Sequence, residues 1–313
     1  MATSTTATGR TPRRRRRRGV NLLTRRDRFW LVVLAGIPAL IVVGLVWIPA
    51  IGTILLSFTD WDGFAPLRDV TYVGMKNYSA VVNDYPPFHP ALQHNLIWLA
   101  VTFALPTVLG MFLAVLLDRD LKGSRLYQSA FFLPVVLSLA LIGFIWQLIY
   151  SRDQGLLNVV LGLKGNDAVD WYGDSSVNLW AVLVAASWRH TGYIMLLYLA
   201  GLKGVDPSLR EAAAMDGASP TRTFFSVVFP ALRPINIVIL VVTVIESLRA
   251  FDLVWVVNKG RNGLELIGAL VVSNIVGEGQ RIPFGSALAT IMLVISLVFI
   301  VIYLSAILRE DKP

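Results

Sequence analysis

Charged residues inside long apolar stretches are the first candidates for chemistry in this sequence. Arg189 lies in one such stretch, and Glu246, Arg249 and Asp252 lie in the next one along the chain. A charged side chain costs about 2.5–3.5 kcal/mol to insert at the centre of a membrane-spanning helix, so it is retained mostly where it has a role. We predict that these carboxylates and guanidinium groups line a polar cavity and hydrogen-bond the hydroxyl groups of a solute.

The spacing of these charges leaves two interpretations. Glu246, Arg249 and Asp252 recur every third residue, which places them along one side of a single helix. At a rise of about 1.5 Å per residue, Arg189 and Glu246 fall at similar depths in their two helices. This favours solute binding for Arg189 and Glu246. For Arg249 and Asp252, solute binding and a permanent ion-pair network that only joins helices remain equally open.

Two aromatic side chains add to the candidate binding site, whereas no metal site is indicated. Trp188 and Tyr193 flank Arg189 and are candidates to stack on a sugar ring. The chain has no cysteine, and its three histidines, His89, His94 and His190, are scattered. We therefore expect neither a metal cluster nor a thiol nucleophile.

The composition indicates that these residues are positioned by helices in a lipid bilayer. Of the 313 residues 55% are hydrophobic and only 15% are charged, against about 25% charged in soluble domains. The mean hydropathy is +0.64. A spanning helix needs about 20 mostly apolar residues. The sequence predicts an all-α integral membrane protein with six such helices, at 29–56, 96–117, 126–150, 178–202, 235–257 and 283–308.

The distribution of Lys and Arg predicts which side each loop occupies. An unbroken arginine run at 13–18 precedes the first apolar stretch, and basic residues also concentrate in the loops after the second and fourth stretches. Because basic loops remain cytoplasmic, both termini are predicted to lie inside a plasma or inner membrane, and nucleic acid is not the expected partner. The predicted segments are a disordered tail (1–28), a first span with an extracellular segment (29–90), a core (91–308) and a cytoplasmic tail (309–313).

The inside loop at about 205–234 has the local signals of two short helices. Asp206 suits a helix N-cap and Pro207 the first helical position. Gly217 suits a left-handed C-cap, and Ser219-Pro220 repeats the cap-and-proline start. The three alanines at 212–214 permit close backbone approach. A short, small-sided helix outside the membrane is suited to a groove on another protein.

This loop carries a family resemblance. Glu211-Ala212-Ala213, followed by Asp216-Gly217 and later by Phe229-Pro230, resembles the EAA loop of bacterial ABC importer permeases. The surrounding sequence is similar to the carbohydrate-uptake branch, the maltose and glycerol-phosphate type permeases, and within it to the first of two permease subunits. The resemblance implies a type I importer fold with cytoplasmic coupling helices. The residues it implies for ATPase coupling are Glu211, Ala212, Ala213, Met215, Asp216 and Gly217.

The resemblance also implies partners. The chain has no phosphate-binding loop of the Gly-x-x-x-x-Gly-Lys-Ser/Thr type, so it is not expected to be an enzyme or to need a cofactor of its own. Mg-ATP belongs to a separate dimer of nucleotide-binding ATPase subunits. A second permease subunit completes the pore, and an extracellular solute-binding protein delivers a sugar or oligosaccharide.

Three other functions remain possible on the sequence alone. A glycerol-phosphate importer is one, since Arg189 and Arg249 suit a phosphate. An ion-coupled secondary transporter is the second, with Glu246 and Asp252 as proton carriers, although no inverted repeat is evident. A non-transporting membrane scaffold or receptor is the third, and charges within spans argue against it.

Overall fold

The computed structural model describes residues 24–119, 122–277 and 280–310, and the regular elements within these ranges are helices. The arginine run at 13–18 and residues 311–313 lie outside the described residues. The α-helices of the described part are α1 (Arg25–Val42), α2 (Ile48–Leu56), α3 (Lys76–Asn83), α4 (Phe88–Asp118), α5 (Ser124–Val136), α6 (Leu139–Ile149), α7 (Leu156–Val160), α8 (Asn178–Gly204), α9 (Pro207–Met215), α10 (Pro220–Thr223), α11 (Phe229–Ala231), α12 (Arg233–Leu248), α13 (Asp252–Asn258), α14 (Ile267–Ile275) and α15 (Ile282–Glu310).

Several of these helices are long and apolar enough to cross a membrane. Three continuous segments qualify, namely Arg25–Leu56, Phe88–Asp118 and Ile282–Tyr303. Two bent pairs also qualify: α5 and α6 meet at 101°, and Pro220–Ala231 meets Arg233–Asn258 at 67°. The described residues therefore give three spans, or five if each bent pair is one span, and the predicted six are not confirmed.

Helix α8, the predicted fourth span, is long enough to cross a membrane but is not among these sufficiently apolar segments. It is 27 residues long, which is sufficient, but Arg189 and His190 interrupt its apolar run. More than half of its residues are buried within the protein. A helix surrounded by protein faces little lipid, so it tolerates polar residues that a lipid-exposed helix does not.

The chain divides into two units, residues 1–51 and 52–313. In the first unit α1 has no buried residue although its sequence is strongly apolar. Its N-terminus is closed by a capping box, in which the Asp27 backbone N–H donates to Thr24 Oγ1 at 3.2 Å and the Thr24 N–H to Asp27 Oδ2 at 3.0 Å. An apolar helix with no buried face is suited to lipid contact.

The second unit is held together by three apolar clusters. The first core joins α4, α6, α8, α13 and α14 and includes Trp98, Ile142, Leu183, Val254 and Ala269. The second core joins α4, α8, the turn before α11, and α12, and includes Ala114, Ile194, Tyr198, Val228 and Ile239. The third core joins α3, α4, α14 and α15 and includes Val81, Ala91, Leu270 and Leu288.

Two glycines allow the helices around α8 to approach closely. A β-carbon on Gly110 of α4 would lie 2.8 Å from Ile194 Cγ2 and 2.9 Å from the Met195 nitrogen. One on Gly192 would lie 2.2 Å from the carbonyl oxygen of Phe131 on α5. Small residues at helix contacts are typical of membrane proteins, where close packing replaces the hydrophobic driving force.

The opposite faces of the long helices carry exposed apolar side chains. Val108 and Phe112 on α4, and Val294 and Leu297 on α15, are exposed. Water-soluble monomers rarely expose contiguous apolar surface of this kind. These faces are therefore suited to lipid, and the chain is embedded in a membrane.

Candidate functional site

A polar layer separates the first core from the second. On α4, Thr102 lies between Trp98 of the first core and Ala114 of the second. On α8, Arg189 and His190 lie between Leu183 and Ile194, which belong to the same two cores in the same order. The polar residues of both helices are thus brought to one level, where they meet residues 246–253.

A cleft of about 200 Å³ opens in this layer. Of the predicted residues, Arg189, Glu246, Arg249 and Asp252 line it. Arg189 Nη1 lies 3.9 Å from Glu246 Oε2, too far for a hydrogen bond, and the side chains are 24% and 48% exposed. Arg189 Nε is buried and has no hydrogen-bond partner among the described residues. The two side chains line the cleft without being joined by a hydrogen bond, and the Arg189 Nε donor is not used by any described residue.

The prediction that Glu246, Arg249 and Asp252 lie along one continuous helix is wrong. Helix α12 ends at Leu248, and α13 begins at Asp252. The intervening Phe251 has φ −146° and ψ −54°, which is not helical. The three side chains still line the same cleft because the chain turns there, and no ion pair joins Arg249 to Asp252 among the described residues.

Trp188 and Tyr193 do not line the cleft. The Trp188 ring lies 5.9 Å from that of Trp146 on α6, centroid to centroid, in an edge-to-face arrangement. Tyr193 stacks beside His190 at 6.1 Å. The aromatic residues that do line the cleft are Trp98 and Phe251. Trp188 is 42% exposed, and stacking of Trp188 or Tyr193 on a solute stays a prediction.

A buried hydrogen-bond network, which the sequence patterns did not predict, joins residues that line the cleft to others beside it. Thr102 Oγ1 lies 2.8 Å from Ser247 Oγ, and His190 Nε2 lies 2.9 Å from Thr243 Oγ1. Asn95 Nδ2 donates to the Ser247 carbonyl oxygen at 3.2 Å, and Asn95 Oδ1 accepts from the Ile267 N–H at 2.9 Å. The available signal was an asparagine just before an apolar stretch whose helix begins earlier than predicted, at Phe88.

The loop at 205–234 folds as its local signals predict. Asp206 caps α9 by accepting from the Ser208 N–H at 2.9 Å, and this hydrogen bond lowers the pKa of the Asp206 carboxyl, so the cap is charged at neutral pH. Gly217 ends the helix with φ +74°. Ser219 then caps α10 by accepting from the Arg222 N–H at 3.3 Å. The second short helix continues through a π-helical turn, Phe224–Val228, into α11.

The residues implied for ATPase coupling form an exposed surface around α9. Glu211, Ala212, Met215, Asp216 and Gly217 are exposed. Met215 is 88% exposed, although it is apolar and ends the helix. Ala213, in contrast, is buried. We call the five exposed residues the coupling surface.

Comparisons with known proteins agree with this geometry. Residues 106–310 match the family described as binding-protein-dependent transport system inner membrane component. A probable ABC transporter permease of Pyrococcus horikoshii is 32% identical over 277 residues, which cover 87% of this chain and 94% of that protein. The xylose/arabinose import permease of Haloferax volcanii is 33% identical over 245 residues, covering 77% and 76%.

A solved structure shows the same fold. In a bacterial alginate ABC transporter in complex with an alginate pentasaccharide-bound periplasmic protein, one chain superposes with a TM-score of 0.78. The match covers 91% of this chain and 96% of that chain at 18% identity. The family match covers more than half of the sequence and the Pyrococcus relative most of it, and this chain therefore belongs to the binding-protein-dependent transport system inner membrane component family.

Proposed function

We propose that this chain is one permease subunit of an ATP-driven importer, and that it carries a sugar or oligosaccharide delivered by an extracellular solute-binding protein. The observation that supports it most is the coupling surface. An exposed apolar side chain on a short capped helix, in a chain whose other exposed apolar faces suit lipid, is typical of a contact with another protein. A dimer of nucleotide-binding ATPase subunits, which binds Mg-ATP, is the proposed partner there.

The chemistry of the cleft supports a sugar as the solute. Carboxylates and guanidinium groups hydrogen-bond hydroxyl groups, and the face of the partly exposed Phe251 can pack against the apolar face of a sugar ring. The Haloferax relative is named for xylose and arabinose, and the structural neighbour for alginate, which are all carbohydrates. Specificity among sugars then depends on which hydroxyl groups reach Glu246, Arg249 and Asp252.

The proposal includes a topology and a second permease. Six spans with both termini in the cytoplasm place the basic loop at 205–234 on the ATPase side, in agreement with the distribution of Lys and Arg. Membership of a binding-protein-dependent family favours an importer over a self-contained, ion-coupled transporter. A second permease subunit opposite the cleft completes the pathway.

Purification with partners tests this function directly. The chain is tagged and co-expressed with candidate partner subunits. It is then extracted in mild detergent, and the proteins that co-purify are identified by mass spectrometry. We expect an ATPase and a second multi-span permease to co-purify, and the reconstituted complex to take up a labelled sugar from a panel of xylose, arabinose, maltose and alginate oligosaccharide only with ATP. A chain that purifies alone and transports alone would contradict the proposal.

Glu246→Gln is expected to lower sugar uptake by about tenfold or more, because a hydrogen bond to a charged group contributes about 1.5–3 kcal/mol. Uptake is measured in vesicles at matched levels of membrane-inserted protein. The control is Asp153→Asn, which neutralises an exposed carboxylate outside the cleft. Uptake by Glu246→Gln equal to that of the control would remove this carboxylate from the binding site.

A glycerol-phosphate type solute is the second candidate. Arg189 and Arg249 both line the cleft, and two guanidinium groups suit a phosphate. Uptake of labelled glycerol phosphate by the reconstituted complex, in preference to every neutral sugar of the panel, would favour this candidate.

A further inference from the structure

Arg210 joins α9, the helix that carries the coupling surface and is called the coupling helix below, to two other helices. Its Nη1 donates to Asp118 Oδ2 at 3.0 Å, and its Nη2 donates to the carbonyl oxygen of Leu202 at 3.3 Å. Asp118 is the last residue of α4, and Leu202 lies in the last turn of α8. One guanidinium group on α9 therefore holds the ends of both α4 and α8.

The two faces of α9 carry different groups. Arg210 and Ala213, three residues apart, face the rest of the protein, since Ala213 is buried and Arg210 is partly buried. Glu211 and Met215, four residues apart, are exposed on the coupling surface. A force applied to the coupling surface thus reaches Arg210 through a single short helix.

The electrostatics make Arg210 a strong contact. A carboxylate at a helix C-terminus opposes the negative end of the helix dipole, so Asp118 needs a cation nearby. The Leu202 carbonyl is one of the final carbonyls of α8, which have no partner within their own helix. Asp118 is only 18% exposed, which limits screening by solvent. Both groups depend on Arg210.

The two helices that Arg210 contacts, α4 and α8, also line the cleft, at positions earlier in each helix. Thr102 lies on α4 and Arg189 on α8, and the two helices are packed together along their length, with Gly110 against Ile194. Movement of their ends therefore changes the relative positions of cleft residues. No other charged side chain of α9 makes such a contact among the described residues.

We propose that Arg210 is a positioning residue that transmits movement of the coupling helix to α4 and α8, and so couples nucleotide binding to the shape of the cleft. This inference rests on the proposed function, because it takes the coupling surface as the ATPase contact. Glu211 and Met215 bind the ATPase in this scheme, whereas Arg210 transmits the movement of α9 to α4 and α8.

The absence of cysteine from the chain allows a direct test. A reporter, Ala186→Cys, is placed in the cleft, and its labelling by a membrane-impermeant thiol reagent is followed by the intact mass of this chain in the purified complex. Mg-ATP with vanadate is expected to change the labelling rate by about fivefold or more in the parent. In Arg210→Met, the labelling rate is expected to lose this response to nucleotide. The same loss is expected in Asp118→Asn, which leaves the residues of α9 unchanged. Both variants are expected to retain the co-purified ATPase and its basal hydrolysis.

The exchange variant Arg210→Asp with Asp118→Arg restores the ion pair between α9 and α4 but not the hydrogen bond to the Leu202 carbonyl, and is expected to recover part of the nucleotide response. Lys203→Met, which removes an exposed cation beside Leu202, is the matched control and is expected to respond as the parent does. An unchanged response in both single variants would overturn the proposal, and so would loss of the ATPase from both of them, which would make Arg210 a docking residue. A parent complex with no ATPase at all would instead overturn the proposed function.

Discussion

Met215→Asp is expected to reduce the amount of co-purifying ATPase by at least about tenfold. The Met215 side chain is 88% exposed at the end of α9, and a hot-spot side chain at the centre of an interface contributes about 2 kcal/mol or more. A carboxylate in its place would be buried without a partner on binding, which adds a desolvation cost of several kcal/mol. The measurement is the ratio of ATPase to permease after purification, by quantitative mass spectrometry.

The same substitution at another exposed methionine provides the control. Met75 is 63% exposed and lies before α3, on the side that the proposed topology places outside the cell. Met75→Asp adds the same charge to the same chain and is expected to leave the ATPase ratio unchanged. Equal ratios in the two variants would mean that the ATPase contact lies elsewhere on the chain.

Gly192→Ala is expected to prevent the accumulation of folded permease in the membrane. The added β-carbon would lie 2.2 Å from the Phe131 carbonyl oxygen, and a backbone atom cannot move aside without shifting α5. Overpacking of this kind costs about 3 kcal/mol or more, which is a large part of the stability of a typical domain. The yield of monodisperse protein after extraction, and its thermal midpoint, measure the effect.

Gly204→Ala is the matched control in the same helix. Apart from the adjacent residues and the backbone of its own helix, no described atom lies within 4 Å of the β-carbon position at Gly204. The substitution is therefore expected to be neutral, or slightly stabilising through the higher helix propensity of alanine. A Gly192→Ala protein with the yield and midpoint of Gly204→Ala would show that α5 and α8 are not in the close contact described above.

The loop at 205–234 was predictable because local rules determine it. Asp206 and Ser219 cap their helices through contacts with residues two or three positions away, and Gly217 adopts the positive φ that favours glycine. None of these features depends on distant parts of the chain. Capping and turn patterns in the sequence therefore predict both short helices.

The interruption between α12 and α13 was not predictable in the same way. Residues 249–251 include neither glycine nor proline, so nothing local marks a break. The chain turns there while Asn95, more than 150 residues earlier, accepts the Ile267 N–H and donates to the Ser247 carbonyl. Contacts of this range follow from the packed arrangement of helices rather than from adjacent residues.

The rotation of the helices that carry the aromatic residues also depends on contacts between distant parts of the chain. Spacing along α8 gives the angle between Trp188 and Arg189 but not which helix each one faces. The structure turns Trp188 towards Trp146 and brings Trp98 of α4 to the cleft instead. Charge within an apolar stretch identified the level of the site, whereas the rotation of each helix depended on its neighbours.

The position of the polar layer between two distinct apolar cores has an evolutionary consequence. Arg189, Glu246, Arg249 and Asp252 line the cleft and belong to neither core, so a substitution at one of them is expected to alter the cleft with little effect on folding. Descendants of one ancestral permease can therefore acquire new cargo through a few changes at a single level of the molecule. Diversity of solutes within one conserved scaffold is the expected outcome of such a layout.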